Sequence, residues 1–321
     1  MPVVWEISAI HLNRRTLLSG VLLCKSPFNF KRKTSSIKNA FRVVRTYFAD
    51  TYRDKEIDVA VKGTAIRTAT DGSGGFSVLV DFLVDDEVKI SVPGSDESLQ
   101  IIQNYPVIFR ETDTILEVIS DIDDTVIISH TASLVKRVGT LTLKAPQHRK
   151  PVGFSLQVLN YLVKQHNTRV FYISKSESNL FGLLTTLIRN NKFPEGKLFL
   201  TPYLKPGQLI HPKKGRDYKY QRIRFLIENS ANKRYVLLGD DTQKDMEVYT
   251  EISKEFPGRI VKIYIRKTRK RVSRRKQKMW LALVNHFPDA CYFTEKTDSA
   301  TEIRYLEEHL RSNQIQSYGF N

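Results

Sequence analysis

Cysteine is nearly missing from this chain, which holds two in 321 residues, Cys24 and Cys291. So far apart, they resemble neither a disulfide framework nor a metal-binding spacing, and buried thiols in a reducing compartment are expected. No segment reaches 18 consecutive apolar residues, so none is long enough to be read as a membrane-crossing helix. The amino terminus lacks the basic stretch followed by an apolar one that marks a secretory leader. A cytoplasmic location is expected, with peripheral membrane contact left open. Repeats at a fixed period are absent as well. Acidic side chains are the scarcer charge, 34 against 51 basic ones, for a net +17. That excess suits an anionic partner, whether nucleic acid, acidic protein or acidic lipid. Zinc spacing, a recognition-helix signature and aromatic-stacking motifs are all lacking, which counts against nucleic acid.

What is present begins with a hydrophobic fraction of 41%, ample for a core, in a length that suggests two domains. Residues 1–112 read as β-rich. Alternating segments Ile57–Lys62, Phe76–Phe82, Val88–Val92 and Val107–Arg110, with a turn at Thr70–Gly75, suggest a small β-sandwich-like domain. Between them Ile37, Phe41, Val44, Phe48 and Tyr52 recur at helical spacing, with Lys38, Arg42, Arg45 and Arg53 nearby. A helix packed across the sandwich is the plainer reading and a membrane-surface helix the alternative. From 113 to 312 strands alternate with helices, which argues for a parallel sheet; residues 313–321 read as a tail. The expected strands are Arg169–Ser174, Lys197–Thr201, Arg234–Asp240 and Ile260–Ile265. The expected helices lie near Ser155–His166, Ser178–Asn190, Tyr218–Glu228, Lys244–Phe256 and Ser299–Leu310.

The segment Ile115-Leu-Glu-Val-Ile-Ser-Asp-Ile-Asp-Asp-Thr-Val126 carries most of the chemistry. Its alternation describes a strand that delivers Asp121 and Asp123 at its carboxyl end, where parallel α/β sheets bind ligands. An EF-hand is rejected, because Val126 stands where the glycine belongs and Ala132 where the bidentate glutamate belongs. Solvated loop acids are the bland reading of a lone Asp-x-Asp. An Asp-x-Asp-x-Thr at a strand end also suits an aspartyl-phosphate enzyme. One carboxylate attacks phosphorus, the second handles the leaving-group proton, and together they collect a hard divalent cation. Downstream, Ser174 ends a strand ahead of a helix, where it and backbone N–H groups could hold phosphate oxygens. Lys219 could neutralise a phosphoryl group, and Gly239-Asp-Asp-Thr-Gln-Lys-Asp245 supplies further acids.

In that order these pieces resemble the four-motif signature of the haloacid dehalogenase (HAD) superfamily. The wording is most similar to the actin-patch type phosphatidate phosphatases and their bacterial relatives, through Ser120-Asp-Ile-Asp-Asp-Thr-Val126, Tyr172-Ile-Ser, Leu238-Gly-Asp, Gln243-Lys-Asp and Glu247-Val-Tyr-Thr-Glu-Ile. Phe256-Pro-Gly-Arg-Ile and Ile263-Tyr-Ile-Arg266 extend the likeness, which covers roughly 115–266. The resemblance implies an α/β, HAD-like Rossmannoid parallel sheet. It implies Asp121 as nucleophile, Asp123 as acid then base, and Mg2+ held by Asp121, the Asp123 carbonyl and Asp240, with Asp245 orienting its waters. Ser174 and Lys219 would grip the phosphoryl oxygens and Thr125 would steady the loop. Spacing leaves open whether Asp241 or Asp245 matters more to the metal. The chain departs from the family wording at Ser174-Lys-Ser-Glu-Ser-Asn179, Gly239-Asp-Asp-Thr242 and Tyr218, all near the substrate.

The gaps Ile127–Arg169 and Leu180–Tyr218 leave little chain for a cap, so a nearly capless site is expected. The run from Arg266 to Lys278 has nine basic residues and no acid: Arg266, Lys267, Arg269, Lys270, Arg271, Arg274, Arg275, Lys276 and Lys278. It reads as an anionic-surface contact with Trp280 at the interface, or as a solvated loop. Phosphatidic acid is the expected substrate. The alternatives are another phosphomonoester (phosphoprotein, nucleic-acid end or small molecule) and a non-enzymatic adaptor.

Overall fold

The first strand is the hinge of the architecture. In the computed structural model, which describes residues 1–27, 46–128, 150–203, 216–242, 244–269 and 271–317, β1 (Val3–Leu12) is buried along its whole length. A bulge between Val4 and Glu6 against β2 (Arg15–Leu23) reverses which face its side chains take. Val3 and Trp5 therefore enter one apolar cluster and Ile10 and Leu12 a second, both shared with the carboxyl-terminal half. Val4, Ile7 and Ala9 join a third, built from the amino-terminal strands.

Those strands are β3 (Glu56–Val61), β4 (Thr64–Ala69), β5 (Gly75–Val80), β6 (Lys89–Ser91), β7 (Gln100–Ile101) and β8 (Ile108–Phe109). One sheet runs β5-β2-β1-β7, with β8 also on β1, and the other runs β4-β3-β6. Leu18 and Leu22 of the first meet Ile57, Val59, Val61 and Ile90 of the second. The two longest amino-terminal strands, β1 and β2, are absent from the sequence expectations. Both faces of β1 are covered, so its sequence lacks the polar alternation that marks a half-buried strand. The expected helical stripe over Ile37, Phe41 and Val44, with Lys38, Arg42 and Arg45, lies outside the described residues. Thr46 and Tyr47 are helical, and the helix stops there: Phe48 is exposed and Thr51 bridges Leu23 in antiparallel fashion.

The third sheet contains β9 (Leu116–Ser120), β10 (Arg169–Glu177), β11 (Lys197–Thr201), β12 (Arg234–Asp240), β13 (Ile260–Arg266) and β14 (Ala290–Phe293). All are parallel, in the order β11-β10-β9-β12-β13-β14. The helices are α1 (Gly153–His166), α2 (Phe181–Asn190), α3 (Arg216–Asn229), α4 (Asp245–Glu255), α5 (Arg274–His286) and α6 (Ser299–Ser317). Side chains of α1, α2 and α6 cover one face of the sheet; those of α3, α4 and α5 cover the other. The chain steps outward from β9 to β10 and β11, then returns to β12 on the opposite side of β9. This reversal opens a crevice at the carboxyl end of the central strand, the usual ligand position in open α/β sheets.

In this half two elements were not expected, β14 and α5. The like-charged start of α5 reads as a loop until Met279, Trp280 and Leu283 are seen packing inward. The last helix continues to Ser317, past the expected boundary at 312. The cap reading depends on gaps that include 129–149 and 204–215, outside the described residues.

The halves meet through buried polar contacts as well as apolar ones. Lys197 of β11 pairs with Glu6 at 3.0 Å, both nearly buried. Arg169 pairs with Glu117 and donates to the His11 carbonyl oxygen at 2.7 Å. Removing one partner of such a buried pair typically costs about 3–5 kcal/mol.

Candidate active site

At the end of β9 the chain turns sharply. The amides of Val126 and Ile127 both donate to the Ile122 oxygen, at 3.0 and 3.1 Å. Asp124 takes up left-handed backbone at φ 56°, a region aspartate tolerates. Arg266 fixes the turn from below, donating to the Asp124 carbonyl oxygen at 2.8 Å. Ser155 at the start of α1 does the same at the Thr125 oxygen, 2.6 Å away. The Thr125 hydroxyl in turn reaches Asp121 Oδ2 at 3.4 Å.

Three carboxylates and one ammonium converge above this turn. Lys219 of α3 places Nζ 3.1 Å from Asp121 Oδ1 and 2.5 Å from Asp245 Oδ1. The other Asp245 oxygen accepts the Asp240 amide at 3.1 Å. Gly239 permits this approach, because a Cβ there would sit 2.7 Å from Asp245 Oδ2 and 2.8 Å from the Tyr249 ring. Carboxylate oxygens of Asp121, Asp240 and Asp245 lie within 4.8 Å of one another, and all three residues are buried. Burial pushes Asp121 up to about 7, Lys219 opposing and Asp245 and Asp123 adding to the rise. Burial, then Asp245 and Asp121, also hold Asp240 well above the ordinary carboxylate range. Burial alone would lower the Lys219 ammonium; Asp121 and Asp245 outweigh it and hold it above its usual value. Three acids around one cation leave the cluster short of positive charge, and hard oxygen ligands at this spacing suit a small divalent ion.

Asp123 sits beside the cluster and accepts from the Ser174 hydroxyl at 3.2 Å and the Ser176 hydroxyl at 3.0 Å. This revises the sequence picture of Ser174. The strand continues to Glu177 and α2 begins only at Phe181, so Ser174 is not at a helix amino terminus, and its hydroxyl addresses Asp123. Ser176 was missed, although i, i+2 alternation from Ser174 would have placed it on the same face. Lys175 was noted only as a departure. Its charged neighbours include Lys219, Asp245 and Asp121, which places it beside the cluster. Burial and then Lys219 hold its pKa below the usual value.

Between Asp241 and Asp245 the geometry distinguishes clearly. Asp245 joins the carboxylate cluster. Asp241 turns away and accepts from Thr268 Oγ1 at 2.5 Å, Tyr292 Oη at 2.7 Å and the Thr268 amide at 3.2 Å, with Lys276 Nζ 3.1 Å away. Burial would raise its pKa, but these hydrogen bonds outweigh burial and hold it below the ordinary value.

The basic run divides in two. Arg266 is a correction to the surface reading: it ends β13, is buried, and binds the Asp124 carbonyl and Glu295. Lys276 points inward to Asp241, and Lys267 is half-buried. Arg269, Arg271, Arg274, Arg275 and Lys278 are exposed; Lys270, like Gln243, is outside the described residues. Trp280 is half-buried and stacks on Tyr292 with centroids 4.7 Å apart.

Comparison with known proteins places this geometry in context. Residues 116–267 match the family model described as phosphatidate phosphatase APP1, catalytic domain. An uncharacterized protein of Schizosaccharomyces pombe is 26% identical over 263 residues, 77% of this chain and 42% of its own. The phosphatidate phosphatase APP1 of Saccharomyces cerevisiae is 34% identical over 96 residues, 30% of this chain and 16% of its own. The chain thus spans less than half the length of these curated relatives. Among solved structures, a carbohydrate acetylesterase from Xanthomonas citri aligns over 90% of this chain and 68% of its own. Its TM-score is 0.28 and its identity 10%, too little to bear on the fold. The sequence matches support the phosphatidate phosphatase family for the segment that holds the carboxylate cluster.

Proposed function

We propose that this chain is a HAD-type phosphatase that removes phosphate from phosphatidic acid at an anionic membrane surface. One observation carries the reading: a buried ammonium, Lys219, bridges Asp121 and Asp245 beside Asp240, at the carboxyl end of the central strand. The match of the same segment to a phosphatidate phosphatase catalytic domain supports it.

In this proposal Asp121 attacks phosphorus and becomes the aspartyl-phosphate, while the bond to the lipid alcohol oxygen breaks. Asp123, held by Ser174 and Ser176, gives its proton to that oxygen. It then takes a proton from the water that attacks phosphorus, freeing Asp121 and inorganic phosphate. Lys219 screens the repulsion between the attacking carboxylate and the phosphate dianion. Asp121, Asp240 and Asp245 would hold Mg2+, which supplies Lewis-acid charge neutralisation at the phosphoryl group.

Metal-free protein should reveal the cation by its pH dependence. Asp121 is raised from 3.8 to about 7. Its contribution to stability is therefore complete below the unfolded value and is lost as pH rises through the folded one. Mg2+ competes with that proton, so the rise in Tm on adding it should be larger at pH 8 than at pH 6. Equal shifts at both pH values, read by scanning calorimetry, would count against the assignment.

The lipid part of the reading rests on the exposed cations of α5 and the segment before it. Arg269, Arg271, Arg274, Arg275 and Lys278 each contribute roughly 1 kcal/mol near an anionic surface. Among the described residues no helix is long and apolar enough to cross a membrane, so contact through such a face is the form proposed. Changing all five to glutamine should weaken binding to phosphatidic acid vesicles by about a hundredfold or more. It should also slow lipid turnover while sparing soluble phosphomonoesters. Phosphate release from both substrate types, with and without Mg2+, tests the whole proposal. Turnover of soluble esters alone removes the lipid, and silence on every substrate removes the enzyme.

A further inference from the structure

The contacts of Asp241 have no part in the chemistry above, yet they form a buried polar junction directly beside it. Asp241 directly follows Asp240 and is 1% exposed at its side chain. Its four contacts come from three places: Thr268 in the link after β13, Lys276 in the first turn of α5, and Tyr292 of β14. Tyr292 stacks on Trp280 of the same helix. Leu283 is the one fully buried side chain of the helix among the described residues, with Met279 and Trp280 partly buried beside it. Arg275 reaches Glu247 of α4 only at 3.7 Å. Meanwhile Arg274, Arg275, Lys278 and Leu281 of α5 are exposed. One helix thus presents cations and a leucine outward and an ammonium inward, with the inward ammonium on the neighbour of a cluster carboxylate.

We propose that Asp241 is a positioning residue that couples docking of α5 on an anionic phospholipid surface to divalent-cation binding at Asp121, Asp240 and Asp245. The proposal rests on the membrane-phosphatase reading and adds a direction to it. Lipid phosphates engage the outward cations and fix α5, leaving Lys276 on Asp241. The Asp240–Thr242 turn is then already ordered when the cation arrives, so the cation binds more tightly. Linkage requires the converse, that the cation strengthens surface binding by the same factor. A simple through-space alternative exists, in which lipid charge neutralises nearby arginines and so favours any cation. That effect needs neither Asp241 nor Lys276, which makes the two separable.

The test is Mg2+ binding by titration calorimetry, with and without phosphatidylserine vesicles, vesicle-only heats subtracted. Phosphatidylserine supplies the anionic surface without a phosphomonoester. The wild-type protein should bind Mg2+ about fivefold more tightly on vesicles. Asp241→Asn and Lys276→Met should bind the same vesicles by flotation yet lose that gain. Lys278→Met should weaken vesicle binding and keep it. Where Asp241→Asn fails to fold, Lys276→Met and Tyr292→Phe carry the comparison. A gain that persists in Asp241→Asn or Lys276→Met, or wild-type Mg2+ affinity indifferent to vesicles, overturns the proposal. Failure of the phosphatase reading looks different: the coupling is present and phosphate release is not. Failure of docking appears as wild-type protein that does not float with vesicles, and it overturns the coupling too.

Discussion

Replacing Asp121 with asparagine should reduce phosphate release by about four orders of magnitude or more, because in the proposed mechanism its carboxylate forms the covalent intermediate. The same change should leave the fold intact, for a reason specific to this site. Burial already pushes the Asp121 carboxyl up to about 7, so in metal-free protein near neutral pH it is protonated much of the time. An amide of the same shape removes a charge that the surroundings disfavour. The metal-free variant should therefore melt no lower than wild type at pH 8, and its Tm should lose most of the dependence on pH between about 4 and 7 that Asp121 imposes. Activity lost together with a large fall in Tm would point to a structural role instead. Activity retained would mean that another group attacks phosphorus, and the assignment of Asp121 would be abandoned.

The sequence made the sheet of the carboxyl-terminal half legible because each strand is a short apolar run closed by a glycine, proline or polar turn. The ends of β11 and β12 fall where they were expected, and those of β13 within a residue. The carboxylates were legible for a related reason, since acids placed directly after such a run have few uses. Their arrangement was less accessible. Asp241 and Asp245 look equivalent by spacing, and only the start of α4 at Asp245 swings one into the cluster and leaves the other to Thr268 and Tyr292. Arg266 shows the opposite error. Charge runs are usually solvated, and nothing local reveals that the first of nine basic residues ends a buried strand and staples the Asp124 turn. Strand β1 escaped because its polar residues, Glu6 and His11, are satisfied inside by Lys197 and the Val84 carbonyl. Partners 191 and 73 residues distant leave no trace in a window of ten.

Lys219 gives the sharpest separation between holding the site together and doing its chemistry. Replaced by methionine, it should leave three buried carboxylates with no ammonium among them. In metal-free protein that loss should cost about 3–5 kcal/mol, as for other buried ion pairs broken on one side. The loss should shrink toward pH 5, where the carboxyls can take up protons in its place. Mg2+ should then bind the variant more tightly than wild type, by about tenfold or more, because an ammonium no longer repels a dication a few ångströms away. Phosphate release should nevertheless fall about a thousandfold, since the charge that screens the attacking carboxylate from the phosphate dianion is gone. Affinity for the cation and rate thus move in opposite directions. A purely structural lysine would make them fall together, and calorimetric Mg2+ titration beside a phosphate-release assay at saturating Mg2+ distinguishes the two. If affinity and rate decline in parallel, Lys219 is a strut for the carboxylates, and the screening of the phosphoryl group must come from elsewhere, with the half-buried Lys175 the next cation to change.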